Sequence, residues 1–169
     1  MESWGSMMPY GKSNFKVIQV TPTLDTSAYA DGDILFDTTE IPDAVIGLGG
    51  CSKLVSVAIT NKQGDITPMT MYFQQAARGM GTANAAMDVS AGNTVHAKQL
   101  GYVEAPTNSW VDMGSTCLFS AKTDENVSSL PLMLQAKDDS TSVYFFASVG
   151  GAETFADGDL TFVFGVEYK

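Results

Sequence analysis

Few residues in this chain are able to do chemistry, and they lie far apart. His96 is the sole histidine among 169 residues, and Cys51 and Cys117 are the two cysteines. A zinc site takes four ligands, so one built from several histidines is excluded and a mixed one is strained. A Ser-His-Asp triad would have to pass through His96. Its context, Thr94-Val95-His96-Ala97-Lys98, has no nucleophile elbow, so it reads as a surface or loop histidine. Two cysteines without a Cys-x-x-Cys spacing are too few for a disulfide framework. They read as small packed residues, with their redox state left open. Gly49-Gly50 and Gly150-Gly151 lack the strand-Gly-x-Gly-helix setting of a phosphate cradle. Asp138-Asp139 reads as a loop between strands. Carboxylate pairs for glycoside hydrolysis form only in three dimensions, and spacing leaves them open.

One pattern occurs twice. Tyr29-Ala30-Asp31-Gly32-Asp33-Ile34-Leu35-Phe36 and Phe155-Ala156-Asp157-Gly158-Asp159-Leu160-Thr161-Phe162 share aromatic-Ala-Asp-Gly-Asp, an aliphatic residue, and Phe two positions on. A tight turn with Gly at positive φ, feeding a strand, accounts for the pattern. Two carboxylates are also the start of a calcium loop, but such a loop gathers six to eight oxygens. Neither copy has a third acid at the next alternate position, so calcium would need a site shared between subunits. Turn structure is the first expectation, and no metal, cofactor or catalytic residue is expected. Trp4, Tyr72, Tyr102, Trp110 and Tyr144 are available to stack on sugars. Trp110 serves equally as a large anchor between sheets.

The elements that hold these residues read as strands. Val55, Val57 and Ile59 alternate with Ser56, Ala58 and Thr60. Met69, Met71 and Phe73 alternate with Thr70, Tyr72 and Gln74, and Leu160, Phe162, Phe164 and Val166 with Thr161, Val163, Gly165 and Glu167. Period-two alternation marks half-buried antiparallel strands. Further runs are Phe15 to Thr21, Leu130 to Gln135 and Val143 to Val149, with weaker ones at Asp33 to Phe36, Lys98 to Val103, Trp110 to Met113 and Cys117 to Lys122. The best helix candidate is short, Thr82 to Met87. About eight to ten strands with turn residues between them predict an all-β chain, an antiparallel jelly-roll β-sandwich spanning 15–169. Residues 1–14 read as a short N-terminal arm, interrupted by Gly5, Pro9 and Gly11.

Charge narrows the partners. Nine basic residues against nineteen acidic ones give a net charge of −10, the wrong sign for gripping phosphates, so direct nucleic-acid binding is not expected. No apolar run reaches the roughly 18 residues of a membrane helix, and no basic stretch leads into an apolar one at the start, so membrane insertion and secretion are not expected. Charged residues make up 17% of the chain, against roughly 25% in an average domain. A surface so short of charge points to an oligomer or to docking on a larger assembly, or else to a monomer covered by small polar residues.

Several stretches resemble virion proteins of tailed bacteriophages, often marine. These are Thr21 to Asp37, Glu40-Ile41, Ser52 to Val57, Gly81 to Ala86 and Asp157 to Val166, with Leu24 to Phe36 the most specific. The resemblance spreads over most of residues 17 to 167 and is weakest from Val89 to Asn126. It implies a jelly-roll capsid decoration or cement protein, made in the host cytoplasm and displayed on the outer capsid surface at capsomer junctions. Its partners would be the major capsid protein and further copies of itself, often as a homotrimer. The alternative is a head-fibre or tail, receptor-binding component with a carbohydrate-binding jelly roll.

The expected contact residues come from hydrophobicity in exposed settings rather than from a family motif. They are Trp4, Met7, Met8 and Tyr10 in the arm, and Met133, Tyr144 and Phe146 on strand faces turned from the core. The arm either docks on a neighbour or folds back on its own domain. If it docks, replacing Trp4 and Tyr10 by Ala weakens assembly onto capsids and leaves the isolated fold intact. Normal loading of that variant in co-sedimentation would remove the arm from the interface.

Overall fold

The structure is a computed structural model describing residues 14–122 and 130–168. Among the described residues ten strands form: β1 Phe15–Val20, β2 Ile34–Ile41, β3 Cys51–Asn61, β4 Met69–Gln74, β5 Gln99–Ala105, β6 Trp110–Asp112, β7 Cys117–Lys122, β8 Leu132–Gln135, β9 Val143–Val149 and β10 Leu160–Tyr168. A helix, α1 Ala91–Ala97, precedes β5, and a 3-10 turn, Thr107–Ser109, precedes β6. Every strand expected from alternation is present. Arm residues Trp4, Met7, Met8 and Tyr10 lie outside the described residues.

The strands make two antiparallel sheets. The larger has the order β1-β10-β3-β7-β6, with β8 also paired to β3, and the smaller the order β2-β9-β4-β5. The length of β3 permits both pairings: Cys51 to Leu54 face β8, and Ser56 to Asn61 face β7. Early and late strands interleave in each sheet, which is the jelly-roll arrangement. The inward residues of both sheets fill one core. Phe36, Phe73 and Phe145 come from the small sheet, Phe162 and Phe164 from β10 in the large one, and all are buried. Their rings meet edge to face across the layers, Phe36 to Phe162 at 5.4 Å, Phe145 to Phe162 at 5.2 Å and Phe145 to Phe164 at 4.9 Å. These are preferred geometries for aromatic pairs.

The repeated motif folds the same way twice. The Asp33 carboxylate accepts from the Ala30 N–H at 2.7 Å, and the Asp33 N–H donates to the Ala30 carbonyl at 3.1 Å. Asp159 and Ala156 make the same reciprocal pair at 2.7 and 3.2 Å. Gly32 and Gly158 sit at φ 85° and 81°, where a side chain would be strained. The two copies also touch through equivalent residues. Tyr29 packs on Phe155 at 5.7 Å, Phe36 on Phe162 as above, and the Tyr29 N–H donates to the Glu153 carbonyl at 2.7 Å.

The helix forms elsewhere than at Thr82 to Met87. Residues there are laid along β2: the Asn84 N–H donates to the Ile34 carbonyl at 2.8 Å, and the Ile34 N–H to the Ala85 carbonyl at 2.9 Å. Asn84 takes φ 56°, incompatible with a continuing right-handed helix. Strand pairing with Ile34 outweighs the alanine content. The helix begins instead at Ser90, whose Oγ accepts from the Asn93 N–H at 3.1 Å, an N-cap. It ends at Lys98 in the left-handed region.

Replacing Phe145 by Ala removes a ring shared by both sheets and should cost about 3–5 kcal/mol, read as a lower urea midpoint at unchanged slope. Tyr29→Phe deletes a hydroxyl that donates to the Leu35 carbonyl at 2.9 Å and accepts from the Asp25 N–H at 2.8 Å, and should cost about 1–3 kcal/mol. A loss below ~0.5 kcal/mol in either would contradict these roles.

Candidate functional site

The residues with catalytic potential are scattered. His96 is exposed in the last turn of α1. Cys51 opens β3, and Cys117 pairs with Asn61 at its other end. Ten residues of strand, about 33 Å, therefore separate the two free thiols. The Cys117 thiol is buried, donates to the Gly64 carbonyl at 3.0 Å and is pushed up by desolvation. Asp33 and Asp159 are engaged by their own turns. Among the described residues no three His, Cys, Asp or Glu side chains come together to hold a metal ion. Trp110 is a core anchor: 7% exposed, it packs on Phe119 at 5.7 Å and donates from Nε1 to the Ala105 carbonyl at 3.4 Å.

An open groove of about 480 Å³ lies between Thr21 to Asp25, in the loop after β1, and Asp37 to Thr39 in β2, with Ala83 beside them. Its carboxylates bind the protein itself. Asp25 Oδ1 accepts from the Ser27 N–H at 2.7 Å and from Asn84 Nδ2 at 3.0 Å, and Asp37 Oδ1 accepts from the Ala83 N–H at 3.1 Å. These bonds hold the Asp25 carboxyl below its ordinary value, the Ser27 amide contributing most. Asp25 fastens Asn84 to the loop before β2, and Asp37 fastens Ala83 to β2 itself.

The outer faces of the two sheets offer more. Across the large sheet, register places outward residues in rows: Phe15, Glu167, Lys53 and Met133; then Val17, Gly165, Ser56 and Lys122; then Gln19, Val163, Ala58 and Ser120; then Thr161, Thr60, Leu118 and Val111. Glu167 and Lys53 stand 4.0 Å apart as a pair. Among the described residues of these rows, Lys122 at the margin is the one further charge. In a chain of net charge −10 this is an unusual concentration of neutral side chains. The face is also low. A side chain at Gly165 would meet Ser56 Oγ, and Ala58 and Ser120 are small. Val17, Val111, Phe15 and Met133 are exposed, Val17 by 71%. Met133 thus lies on an open face.

Across the small sheet, Tyr102 pairs with Tyr72 and Tyr72 with Phe146, forming one aromatic row over β5, β4 and β9. Tyr72 stacks on Phe146 at 4.9 Å and lies 6.4 Å from Tyr102. A polar row of Glu104, Thr70 and Ser148 runs beside it. Phe146 was expected to be a contact residue, but it is 3% exposed. It does turn from the inter-sheet core, yet Met80 and Ala97 pack over it, with Tyr72, Met87 and Val89 around them. Tyr144 is half-buried, and its phenol is pushed up chiefly by desolvation. Sequence reasoning saw these aromatics singly; the row depends on register between three strands that no local pattern reveals.

Comparison with known proteins adds little. No family model matches the chain, and no curated protein matches it. Among solved structures, the crystal structure of the infectious bursal disease virus VP2 subviral particle aligns over 98% of this chain at 10% identity and a TM-score of 0.20. The chain spans 44% of that protein's length, and at this similarity the likeness bears on neither fold nor function.

Asp25 yields a pH test. Its folded value lies below the unfolded one, so its stabilisation is complete above the ordinary carboxyl value of about 4 and is lost as pH falls through the depressed value. Asp25→Ala should flatten that part of the acid limb in thermal melts and speed amide exchange around Ala83 and Asn84. Exchange unchanged from wild type there would contradict the fastening role.

Proposed function

We propose that the chain is a bacteriophage virion structural protein, a decoration or cement protein that binds the outer capsid surface at capsomer junctions and stabilises the shell. The neutral, low outer face of the six-stranded sheet carries this reading. Docking on a folded surface desolvates whatever the face presents, and charges there are costly unless paired. This face has almost none, and its main ion pair sits in a border row.

The size of the face argues for several copies acting together. Five strands about 4.8 Å apart and four rows about 6.8 Å apart give roughly 400–500 Å². A stable interface covers about 800 Å² per partner. One copy therefore holds weakly, and an oligomer bridging several capsid subunits binds through many modest contacts. The resemblance in Leu24 to Phe36 and Asp157 to Val166 supports the same class. The acidity elsewhere suits a protein kept off the packaged genome.

Purified protein should co-sediment with expanded empty heads that lack it, saturably and at a fixed ratio to the major capsid protein. Val17→Lys with Val111→Glu changes exposed positions on this face. The pair should lower loading at least about tenfold, or about 1.4 kcal/mol, with an unchanged melting temperature. Absence of binding by well-folded wild type would instead favour a fibre or tail position, and a glycan screen would follow.

A further inference from the structure

The aromatic row on the small sheet ends in a groove of about 260 Å³, walled by Tyr72, Tyr102 and Phe146 and by Met87 and Val89 from the segment before α1. Two polar side chains reach it, Thr94 and Gln99, and both are engaged within the fold. Thr94 Oγ1 donates to the Ser90 carbonyl at 3.2 Å, and Gln99 Nε2 donates to Gln74 Oε1 at 3.0 Å. Gln74 in turn donates to the carbonyls of Ala76 and Arg78 at 2.9 and 2.8 Å. A sugar buried here would desolvate its hydroxyls with little to receive them, which is costly. The volume is also below the roughly 300–1,000 Å³ of small-molecule sites. The groove is shaped and lined for one or two large apolar side chains.

Residues 1–13 supply such side chains. Trp4, Met7, Met8 and Tyr10 fall within seven residues, and a thioether against aromatic walls is favourable. The arm joins the domain on the same end of the sandwich as the groove. The Asn14 carbonyl accepts from the Tyr168 N–H at 2.7 Å, and the Tyr168 hydroxyl donates to the Asp43 carbonyl at 2.8 Å. Thr141 Oγ1 donates to Asp43 Oδ1 at 3.3 Å, and β9 begins two residues later with Val143 and Tyr144, the latter paired with Gln74. The path round the β1 and β2 edges to the groove is about 25–30 Å by strand and sheet spacings. Ten extended residues, from Asn14 back to Trp4, span at most about 33–36 Å.

We infer that the groove formed by Tyr72, Tyr102, Phe146, Met87 and Val89 receives the apolar side chains of residues 4–10, Trp4 foremost. The reach from Asn14 makes the occupant the same copy's arm, and Trp4 emission that depends on protein concentration would overturn that. The inference does not depend on the capsid reading: it concerns what closes the small sheet's outer face.

The test uses the full chain. Emission from Trp4, isolated by subtracting a Trp4→Phe variant, should be blue-shifted and shielded from acrylamide. Met87→Glu with Val89→Glu should shift it to the red and expose it, whereas Val111→Glu on the other sheet should leave it unchanged. Trp4→Ala with Met7→Ser leaves the groove's own residues intact and should speed amide exchange over residues 87–102. Solvent-like Trp4 emission in wild type, or exchange at 87–102 indifferent to the arm, would overturn the assignment. So would protection of the groove by an added glycan with the arm in place.

Discussion

The fold depends on one contact, the meeting of two copies of the same turn. Tyr29 lies against Phe155 and Phe36 against Phe162, and in each copy an aspartate closes its own loop onto an alanine amide. One turn leads into β2 in the small sheet and the other into β10 in the large one. Their contact therefore fixes how the sheets stack and in what register their aromatic residues interlock. Phe145 and Phe164 extend the same cluster, so the core grows outward from the paired turns. Chain ends far apart in sequence are joined by it, which is the costly part of a non-local β topology.

With the inner faces committed to this cluster, function is left to the outer ones, and the two differ. The large sheet presents small, neutral side chains with its main ion pair at the border. The small sheet presents an aromatic row that is half covered by Met80, Met87, Val89 and α1. A binding surface has to be easily desolvated, and the large face meets that condition along its middle rows. The small face is partly roofed, and Gln74, Thr94 and Gln99 beside its aromatic row are bonded within the fold. The acidic residues that give the protein its net charge include Asp25, Asp37, Asp33 and Asp159, several of which fasten loops.

Much of this was legible in the sequence because it rests on local rules. Alternation of Leu160, Phe162, Phe164 and Val166 with Thr161, Val163, Gly165 and Glu167 identified both the buried and the open face of β10. The repeated Asp-Gly-Asp showed a turn because glycine at positive φ has few substitutes. What stayed hidden was set by pairing between distant segments. Thr82 to Met87 has helical composition but is held against Ile34. Ser90 is a readable N-cap, yet Gly92, Thr94 and Val95 after it are poor helix formers and mask α1. Phe146 alternates outward correctly, and only the three-dimensional course of residues 76–98 shows that it is roofed. The neutral face likewise emerges only when rows from six strands are read across the sheet.

Amide hydrogen exchange of the protein bound to empty capsids, compared with the free protein, tests the docking face most directly. Protection should fall on β10, β3 and β7, at residues such as Val163, Ala58 and Ser120, with β1 and β6 at its borders. Protection confined to β4, β5 and β9, leaving the large sheet as in the free protein, would contradict it and move the docking face to the other side of the sandwich.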